Sequence, residues 1–288
     1  MVLLHRTDGD GWVQCTCGHR HWGRYGAAGL MVVRPDGQVL LQHRAPWSHE
    51  GGTWALPGGA RASTESALET ATREAAEEAA VDPAAITPSH SWLDDHGSWS
   101  YTTVVARAQR AVQARAADPE SVELRWVGVD DVPQLPLHPA FAAAWPQLRE
   151  HAGCRLVLVV DAANVVGSRP DGWWRDRAGA NARLRDQLAA LAGRGVSAAK
   201  LHLPAETWWP EIRLVVEGQA RGVESVAGVA VAAAADDGDA LIKQTVAECI
   251  RARPDDHVVA VTADRVLRSQ VEELGASVMG PAALLGLL

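Results

Sequence analysis

The chain has 288 residues, which is long for one domain and sufficient for two domains that each bury a core. Its 47% hydrophobic and 22% charged residues are typical of an ordinary globular protein. The net charge of −8 argues against a protein that binds nucleic acid nonspecifically over a broad surface.

The cysteines and the apolar runs further restrict the class of protein. The four cysteines are too few and too scattered for a disulfide scaffold. The first residues, MVLLHRTDGDGW, become charged after four apolar positions, which predicts no signal peptide. No run approaches the roughly 20 apolar residues that a membrane span requires. We therefore expect a cytoplasmic protein without a membrane segment.

The segment 11–26, GWVQCTCGHRHWGRYG, contains four possible metal ligands, Cys15, Cys17, His19 and His21. Structural zinc sites usually take two separated pairs of ligands, because alternating ligands in so short a segment cannot close a tetrahedron. A half-site completed by Cys154 is the alternative. We predict a packed or substrate-side N-terminal hairpin in which Cys15 and Cys17 hold no structural zinc.

Residues 27–44 have the pattern strand, Pro-Asp-Gly turn, strand, which predicts a β-hairpin. A Gly-rich turn at 57–59 then leads into a sequence dominated by Ala, Leu, Arg and Glu. Ser63 or Thr64 is the expected N-cap, and Pro83 cannot continue a helix. We therefore predict a helix from about Thr64 to Ala80.

On this helix, Glu74, Glu77 and Glu78 stand at positions i, i+3 and i+4, so their carboxylates share one face. One interpretation is a solvated acidic face, which is common on helices. The other is a cation site: Arg73 can pair with Glu77 or Glu69, but one Arg does not neutralise the cluster, and a divalent cation would relieve the repulsion. The residues that flank the cluster decide between these interpretations.

Gly59 is followed after five residues by Glu65 and, after seven more, by the run REAAEE at 73–78. Together with WALPGG at 54–59, this stretch resembles the Nudix box. Ala80 departs from the pattern, because the family has Gly there. Such a Gly suits a left-handed helix cap, so Ala at this position costs about 1 kcal/mol at most.

The resemblance implies a Nudix α/β/α sandwich over about residues 20–150 that hydrolyses a nucleoside diphosphate linked to another moiety. It also implies Mg²⁺ or Mn²⁺ as cofactor, which suits carboxylate ligands. In this assignment Arg73 orients a glutamate, and the glycines keep the backbone close to the start of the helix. Carried over by position, the catalytic residues are Arg73, Glu74, Glu77 and Glu78, the three glutamates also bind the metal, and the remaining binding positions are Gly58, Gly59 and Glu65.

The rest of the first half predicts a hairpin from Ser91 to Arg107, a strand at 123–127 and a closing helical region over 132–149. Loop acids are candidates for an additional metal or water contact, although each one alone is more commonly a solvated turn acid; they are Asp94 or Asp95, and Glu120 or Glu123. We place the first domain, with its N-terminal extension, at residues 1–152.

Residues 153–288 predict a second domain, because continuous apolar strands alternate with helices as in a parallel sheet covered on both faces. Three of these strands end at or near Asp161, Glu217 and Asp264, and Asp239 lies at a helix start. Functional groups collect at the carboxyl ends of such strands. For Asp239 and Asp264 the alternative is an ordinary helix cap.

The segments VVDAANVVG, VVEGQARG, DDGDALI and VVAVTADRVL, within about residues 155–280, resemble the PIN-like ribonuclease superfamily and in particular its NYN branch. The resemblance implies a parallel-sheet α/β/α domain in which Asp161, Asp239 and Asp264 bind Mg²⁺ or Mn²⁺ for phosphodiester cleavage, with RNA as a partner. Gly238 within the acidic cluster and Glu217 in place of an Asp depart from the pattern.

The leading hypothesis is thus a two-domain α/β enzyme, a metal-dependent pyrophosphohydrolase for nucleotide-type small molecules, with a second metal site for RNA cleavage. The alternative is a nucleotide-sensing regulator, or an RNA-processing nuclease in which the PIN-like domain carries the main activity. The intact set of acids favours the enzyme. The group attached to the diphosphate depends on loops outside the box.

Overall fold

The structure, a computed structural model, describes residues 7–110, 112–170 and 172–288. The first six residues, on which the prediction of no signal peptide partly depends, lie outside these ranges. The chain divides into two compact units, Met1–Gly153 and Cys154–Leu288. Within the described ranges, no helix combines the length and the apolar character needed to cross a bilayer.

Among its described residues, the first unit has short and long strands and two α-helices. In chain order its elements are β1 (Trp12–Gln14), β2 (Arg20–Trp22), β3 (Ala27–Val33), β4 (Gln38–Arg44), β5 (Trp54–Ala55), β6 (Gly58–Ala60), α1 (Ala67–Ala79), β7 (Ile86–Asp95), β8 (Ser100–Ala108), β9 (Ser121–Gly128) and α2 (Pro139–His151). Strands β1 and β2 pair only with each other in the described chain and form a separate antiparallel ribbon.

The other strands of this unit form a mixed sheet around β3, in which every residue is buried. Strand β3 pairs in parallel with β8 and antiparallel with β4 and β6. Strand β7 continues the sheet beyond β8, and both β5 and β9 pair with β4. The two predicted hairpins are therefore confirmed, as β3–β4 and β7–β8.

A helix packs on each face of this sheet. Met31 of β3 shares a core with Phe141 and Leu148 of α2. Leu30, the preceding residue of the strand, points to the opposite face and is also fully buried. Helix α1 packs against β3 and β6. The three layers agree with the α/β/α arrangement expected from the sequence.

Helix α1 begins later than the sequence predicts. Its N-cap is Ser66, and not Ser63 or Thr64: the Ser66 hydroxyl accepts the Glu69 N–H, and the Glu69 carboxylate accepts the Ser66 N–H. This reciprocal capping box satisfies two donors that would otherwise lack a partner. Neither predicted cap has Glu or Gln three residues later, so neither can form the box. Glu65 consequently lies in the turn before the helix.

The C-terminal end of α1 lies where the sequence predicts it. Ala80 is the C-cap, with φ 52° and ψ 32°, and its N–H donates to the Ala75 carbonyl. This is the left-handed conformation for which the box position favours Gly. The backbone therefore keeps the family's helix end although the residue is Ala.

The second unit alternates strands and helices. Its elements are β10 (Leu156–Asp161), α3 (Ala162–Gly167), α4 (Arg177–Arg194), β11 (Val196–Ser197), β12 (Thr207–Trp208), β13 (Glu211–Val216), β14 (Val229–Ala233), α5 (Gly238–Ala252), β15 (His257–Val261), α6 (Arg265–Glu273), β16 (Ser277–Met279) and α7 (Pro281–Leu285). Helix α4 ends at Arg194, and its C-cap is Gly195, with φ 79°.

Five strands of the second unit form a wholly parallel sheet in the order β14-β13-β10-β15-β16. On one face Leu158 of β10 packs with Leu184 of α4. On the other face Val159 packs with Val246 of α5. This confirms the prediction of a parallel sheet covered on both sides. Along the chain, β13 and β14 are added on one side of β10, and β15 and β16 on its other side, so the strand order reverses between β10 and β15. Open parallel sheets bind ligands at such a reversal.

Candidate active site

Two glutamates of α1 lie directly against the Gly-rich turn at β6. The Gly58 N–H donates to Glu78 Oε2 at 2.9 Å. A Cβ on Gly59 would lie 2.5 Å from Glu74 Oε1, so only Gly leaves room for that carboxylate where it now stands. Glu78 is only 8% exposed. The two glycines therefore form a backbone wall against which the Glu74 and Glu78 carboxylates pack.

Both carboxylates are poorly suited to carry their charge without a cation. Burial raises the pKa of Glu78 to about 8, and the nearby Glu74 charge adds to this rise. Burial also raises the pKa of Glu74 to about 7, although Arg73 acts in the opposite direction. Such raised values are typical of functional carboxylates rather than of a solvated helix face.

Arg73 links the helix to the turn before it. Its guanidinium binds the Glu65 carboxylate through Nε at 2.7 Å and Nη2 at 2.9 Å, while Nη1 donates to Glu74 Oε1 at 2.8 Å. Further bonds reach Glu77 Oε2 at 3.4 Å and the Ala60 carbonyl at 3.1 Å. All five N–H groups therefore have acceptors within the protein. The hydrogen bonds from Arg73 also lower the pKa of Glu65 to about 2.

The contacts and the exposure of these acids differ from those expected from the sequence. The main partner of Arg73 is Glu65, whereas Glu69 is used in the capping box. Glu77 shares the helix face with Glu74 and Glu78, but its side chain is 37% exposed and lies at the edge of the cluster. Two of the three carboxylates are thus enclosed, and the third faces outward.

A large cavity of about 810 Å³ opens beside the Gly58–Gly59 wall. Its lining is rich in aromatic side chains and includes Trp12, Trp22, Trp47, Trp92, Trp99, Tyr101, His138 and Phe141. This volume and apolar character suit a nucleotide-sized ligand. Sequence reasoning missed the cavity, because its aromatic residues come from separate strands and loops and share no spacing.

The structure distinguishes among the loop acids. Glu120 lines the cavity, and burial raises its pKa, with the neighbouring Asp118 charge as a further cause. Glu123, by contrast, is bound to Arg125. Asp94 also lines the cavity, whereas the Asp95 carboxylate accepts an N–H within its own turn. Glu120 is the loop acid whose environment most resembles that of the box glutamates.

The N-terminal ribbon brings three of its possible metal ligands together with a residue that the sequence analysis did not consider. Cys15, Cys17 and His21 each place a ligand atom within 4.8 Å of the others and of His96, which lies between β7 and β8. Cys154, the ligand proposed for the alternative half-site, is buried in a core of the second unit.

In the second unit, Asp161 ends β10 and is buried, and both of its carboxylate oxygens accept hydrogen bonds. Its Oδ1 accepts the Asn164 N–H, and its Oδ2 accepts bonds from the Asn164 amide at 2.7 Å and the Thr262 hydroxyl at 2.9 Å. Asp264 caps α6 by accepting the Leu267 N–H at 2.8 Å. Asp264 thus has the capping role of the alternative interpretation, and Asp161 likewise caps α3, whereas α5 is capped by Asp237 and not by Asp239.

Asp239 is exposed in the first turn of α5, and its pKa is raised by partial burial and then by other acids, chiefly Asp161 and Asp264. A small cavity of about 70 Å³ is lined by Asp161, Asn164, Glu217 and Asp239. The structure therefore brings Asp161, Glu217 and Asp239 to one edge of the sheet. Asp264 lies close enough for its charge to act there but does not line the cavity.

Comparison with known proteins places the first unit in a family. The model of the NUDIX domain matches residues 23–148. A protein of Mycobacterium tuberculosis named "Putative 8-oxo-dGTP diphosphatase 3" is 52% identical over 155 residues, which cover 50% of this chain and 70% of that protein. The chain belongs to the Nudix family, and it is an enzyme of the Nudix hydrolase type that acts on pyrophosphate bonds.

Two further similar proteins also have "Nudix hydrolase" in their names. A "Nucleoside triphosphate pyrophosphatase/Nudix hydrolase fusion protein" of Bifidobacterium longum is 48% identical over 147 residues, 48% of this chain. The match spans only 30% of that fusion protein. The crystal structure of RenU, a Nudix hydrolase from M. smegmatis, shares 49% identity, and the match covers 49% of this chain and 94% of RenU with a TM-score of 0.46.

Proposed function

We propose that the first domain, placed at residues 1–152, hydrolyses the pyrophosphate bond of a purine nucleoside triphosphate in a reaction that depends on Mg²⁺ or Mn²⁺. The observation that carries this proposal is the pair of enclosed carboxylates, Glu74 and Glu78, next to an aromatic cavity. A solvated acidic face would have neither the burial nor the neighbouring cavity. The arrangement therefore joins a charged reaction centre to a surface for an aromatic base.

The residues fit a divalent cation. Glu74, Glu77 and Glu78 offer hard oxygen ligands, and the pKa values of Glu74 and Glu78 are raised in the absence of a positive ligand. A bound cation would neutralise the charges of the diphosphate and acidify the attacking water. Arg73 cannot serve in its place, because all its donors are engaged by Glu65, Glu74, Glu77 and Ala60.

Residues of the chain are proposed to supply the other functions of the site, which are positioning, proton transfer and binding of the base. Glu65 and Arg73 fix the Glu74 carboxylate, and the Gly58 N–H fixes that of Glu78. Glu120 is the proposed proton acceptor, since it lines the cavity and its raised pKa makes it a stronger base. The aromatic residues of the cavity stack on the base and exclude water from it.

For the substrate, we propose an oxidised purine triphosphate such as 8-oxo-dGTP, the compound in the name of the M. tuberculosis relative. The indole rings of the cavity suit any purine face, so the oxidised base must be distinguished by the polar groups at the cavity edge. Arg44 is a charged residue that lines the cavity and is proposed to take part in this discrimination.

The test is a panel of substrates for the purified full chain with Mg²⁺: 8-oxo-dGTP, dGTP, a dinucleoside polyphosphate and a nucleotide sugar. We expect the highest kcat/KM with 8-oxo-dGTP and release of pyrophosphate. E78Q should lose at least about 100-fold in kcat, whereas the exposed control E272Q should retain activity. Near wild-type turnover by E78Q would disprove the site, and a different preferred substrate would disprove only the substrate assignment.

We further propose that residues 153–288 form a PIN-like domain of the NYN type that binds Mg²⁺ or Mn²⁺ and cleaves RNA. The support is the group formed by Asp161, Glu217 and Asp239 at the carboxyl edge of a parallel sheet, beside the reversal in strand order. Asp264 is proposed to contribute through its charge.

A further inference from the structure

The ribbon of β1 and β2 is too small to be stable by itself. Each strand has three residues with alternating exposed and half-buried side chains, and in the described chain the two strands pair only with each other. An isolated two-stranded ribbon is at best marginally stable in water, and Trp12 and Trp22 here are still 43% and 42% exposed. Small elements of this kind commonly depend on a covalent or metal crosslink.

The ribbon carries a set of side chains that matches such a crosslink. Cys15 and Cys17 lie in the turn between β1 and β2, and His21 lies in β2. His96 comes from the β7–β8 turn, 75 positions further along the chain than His21. One ligand atom from each of the four residues lies within 4.8 Å of all the others.

We propose that Cys15, Cys17, His21 and His96 bind a structural zinc ion that fastens the N-terminal ribbon to the β7–β8 turn. Two thiolates and two imidazoles are a common ligand set of structural zinc. Zinc bond lengths imply ligand-to-ligand distances of about 3.3–3.8 Å in a tetrahedron, so the group needs to contract by only about 1 Å. Cys17 Sγ and His21 Nε2 are already 3.1 Å apart.

The expectation against zinc assumed that all four ligands come from one short segment. That geometric objection does not apply to the observed group, because His96 approaches from a separate hairpin. His19, the fourth ligand within the segment itself, is not a member of the group among the described residues. The observed set is therefore three ligands from the ribbon and one from a distant turn.

The surroundings hold these ligands in place. The Thr16 hydroxyl, between the two cysteines, donates to the His96 carbonyl at 3.0 Å and links the ribbon to the β7–β8 turn. His96 Nε2 lies 3.1 Å from Asp94 Oδ2. Zinc-bound histidines commonly donate their second ring N–H to a carboxylate, so Asp94 would orient the ring and leave Nδ1 for the metal.

A zinc ion bound by this group would lie beside the wall of the aromatic cavity. The His21 ring stacks on Trp99 with a centroid distance of 4.1 Å, and the Trp99 indole donates to the Trp22 and Gly23 carbonyls. His21, Trp22 and Trp99 all line the aromatic cavity. The zinc ion would therefore hold one wall of that cavity, at a site separate from the glutamates of α1.

The test measures metal in the full chain, purified without added zinc or chelator. We expect about one zinc ion per chain by elemental analysis, and substitution by Co²⁺ should give the visible absorption of a tetrahedral thiolate complex. C17S and H96A should each lose most of the zinc. The matched controls C249S, a thiol in the second unit, and H19A should keep it.

Two results would overturn the proposal. One is wild-type protein that neither contains zinc nor takes up Zn²⁺ or Co²⁺ in a titration, a measurement that needs no variant to fold. The other is zinc that persists in H96A, which would place the metal elsewhere. If C17S and H96A are unstable, zinc removal from the wild type by a chelator should still lower its Tm, and re-addition should restore it.

Discussion

Glu78 combines a role in the proposed reaction with a cost to the fold. Its carboxylate is enclosed by the Gly-rich turn and by α1, and the Gly58 N–H replaces part of the hydration that it loses. An ionised carboxylate in such a place destabilises the native state until a cation binds. The same residue is therefore expected to control both activity and the pH dependence of stability.

The first prediction concerns this pH dependence. Burial raises the pKa of Glu78 to about 8 from the ordinary 4.5. Between these values the native protein holds a proton that the unfolded chain has released, so the free energy of unfolding falls as the pH rises. In protein dialysed free of Mg²⁺ and Mn²⁺, the Tm of the wild type should fall between about pH 5 and pH 8 more steeply than that of E78Q. Parallel curves for the two proteins would contradict this account.

The second prediction concerns the wall formed by Gly59. An added Cβ would lie 2.5 Å from Glu74 Oε1, and this flexible carboxylate can move away without unfolding the protein. Because displacement of a catalytic group by about 1 Å can cost about 100-fold, G59A should lose a large part of kcat while its Tm stays close to that of the wild type. In the control G193A the Cβ meets no atom within 4 Å, so kcat should be retained. Equal kcat values would show that the Glu74 position is not critical.

At the scale of single elements, helix α1 illustrates what the sequence can and cannot predict. The box spacing correctly placed Glu74 and Glu78 beside each other, because helical periodicity is fixed by backbone geometry. The helix start was misplaced by two or three residues, because capping depends on which hydroxyl finds a partner three positions later. His96 and the aromatic cavity were missed, because they depend on how distant loops meet and not on local spacing.

The third prediction tests the end of this helix. Ala80 has φ 52°, a conformation that costs a residue with a Cβ about 1 kcal/mol relative to Gly. A80G should therefore increase the free energy of unfolding by about 1 kcal/mol in urea denaturation. The control A76G, inside the same helix, should decrease it by a similar amount. If A80G destabilises the protein as much as A76G does, the left-handed cap is wrong.

At the scale of the whole molecule, the chain joins two acidic clusters of different construction. In the first unit, the carboxylates lie on one helix at fixed sequence spacings, so a sequence motif can identify them. In the second, Asp161, Glu217 and Asp239 come from three separate segments and meet only because the parallel sheet brings its strand ends together. No single short motif therefore contains the second cluster, although the prediction of a doubly covered parallel sheet is confirmed.

The fourth prediction tests whether the second cluster binds metal independently of the first. In full-length E78Q, Mn²⁺ should raise the Tm as its concentration passes the dissociation constant. Adding D239N should remove much of this shift, whereas the adjacent exposed control D236N should keep it. Asp239 is suited to this test because its side chain is exposed and Asp237 supplies the helix cap.

The same variants test RNA cleavage. With an intact first unit, D239N should abolish Mn²⁺-dependent cleavage of single-stranded RNA and leave pyrophosphohydrolysis unchanged, and D236N should affect neither. A Tm that does not respond to Mn²⁺ in E78Q, or RNA cleavage that is indifferent to D239N, would leave the second unit without the proposed catalytic role.

The aromatic cavity also provides an intrinsic fluorescence signal for ligand binding. Five of its twelve tryptophans line the cavity, and the chain has only two tyrosines and one phenylalanine to dilute their signal. A purine stacked against these indoles would quench their fluorescence. Nucleotide affinity can therefore be read by titration, without a label and without turnover, in variants such as E78Q that should bind substrate but not cleave it.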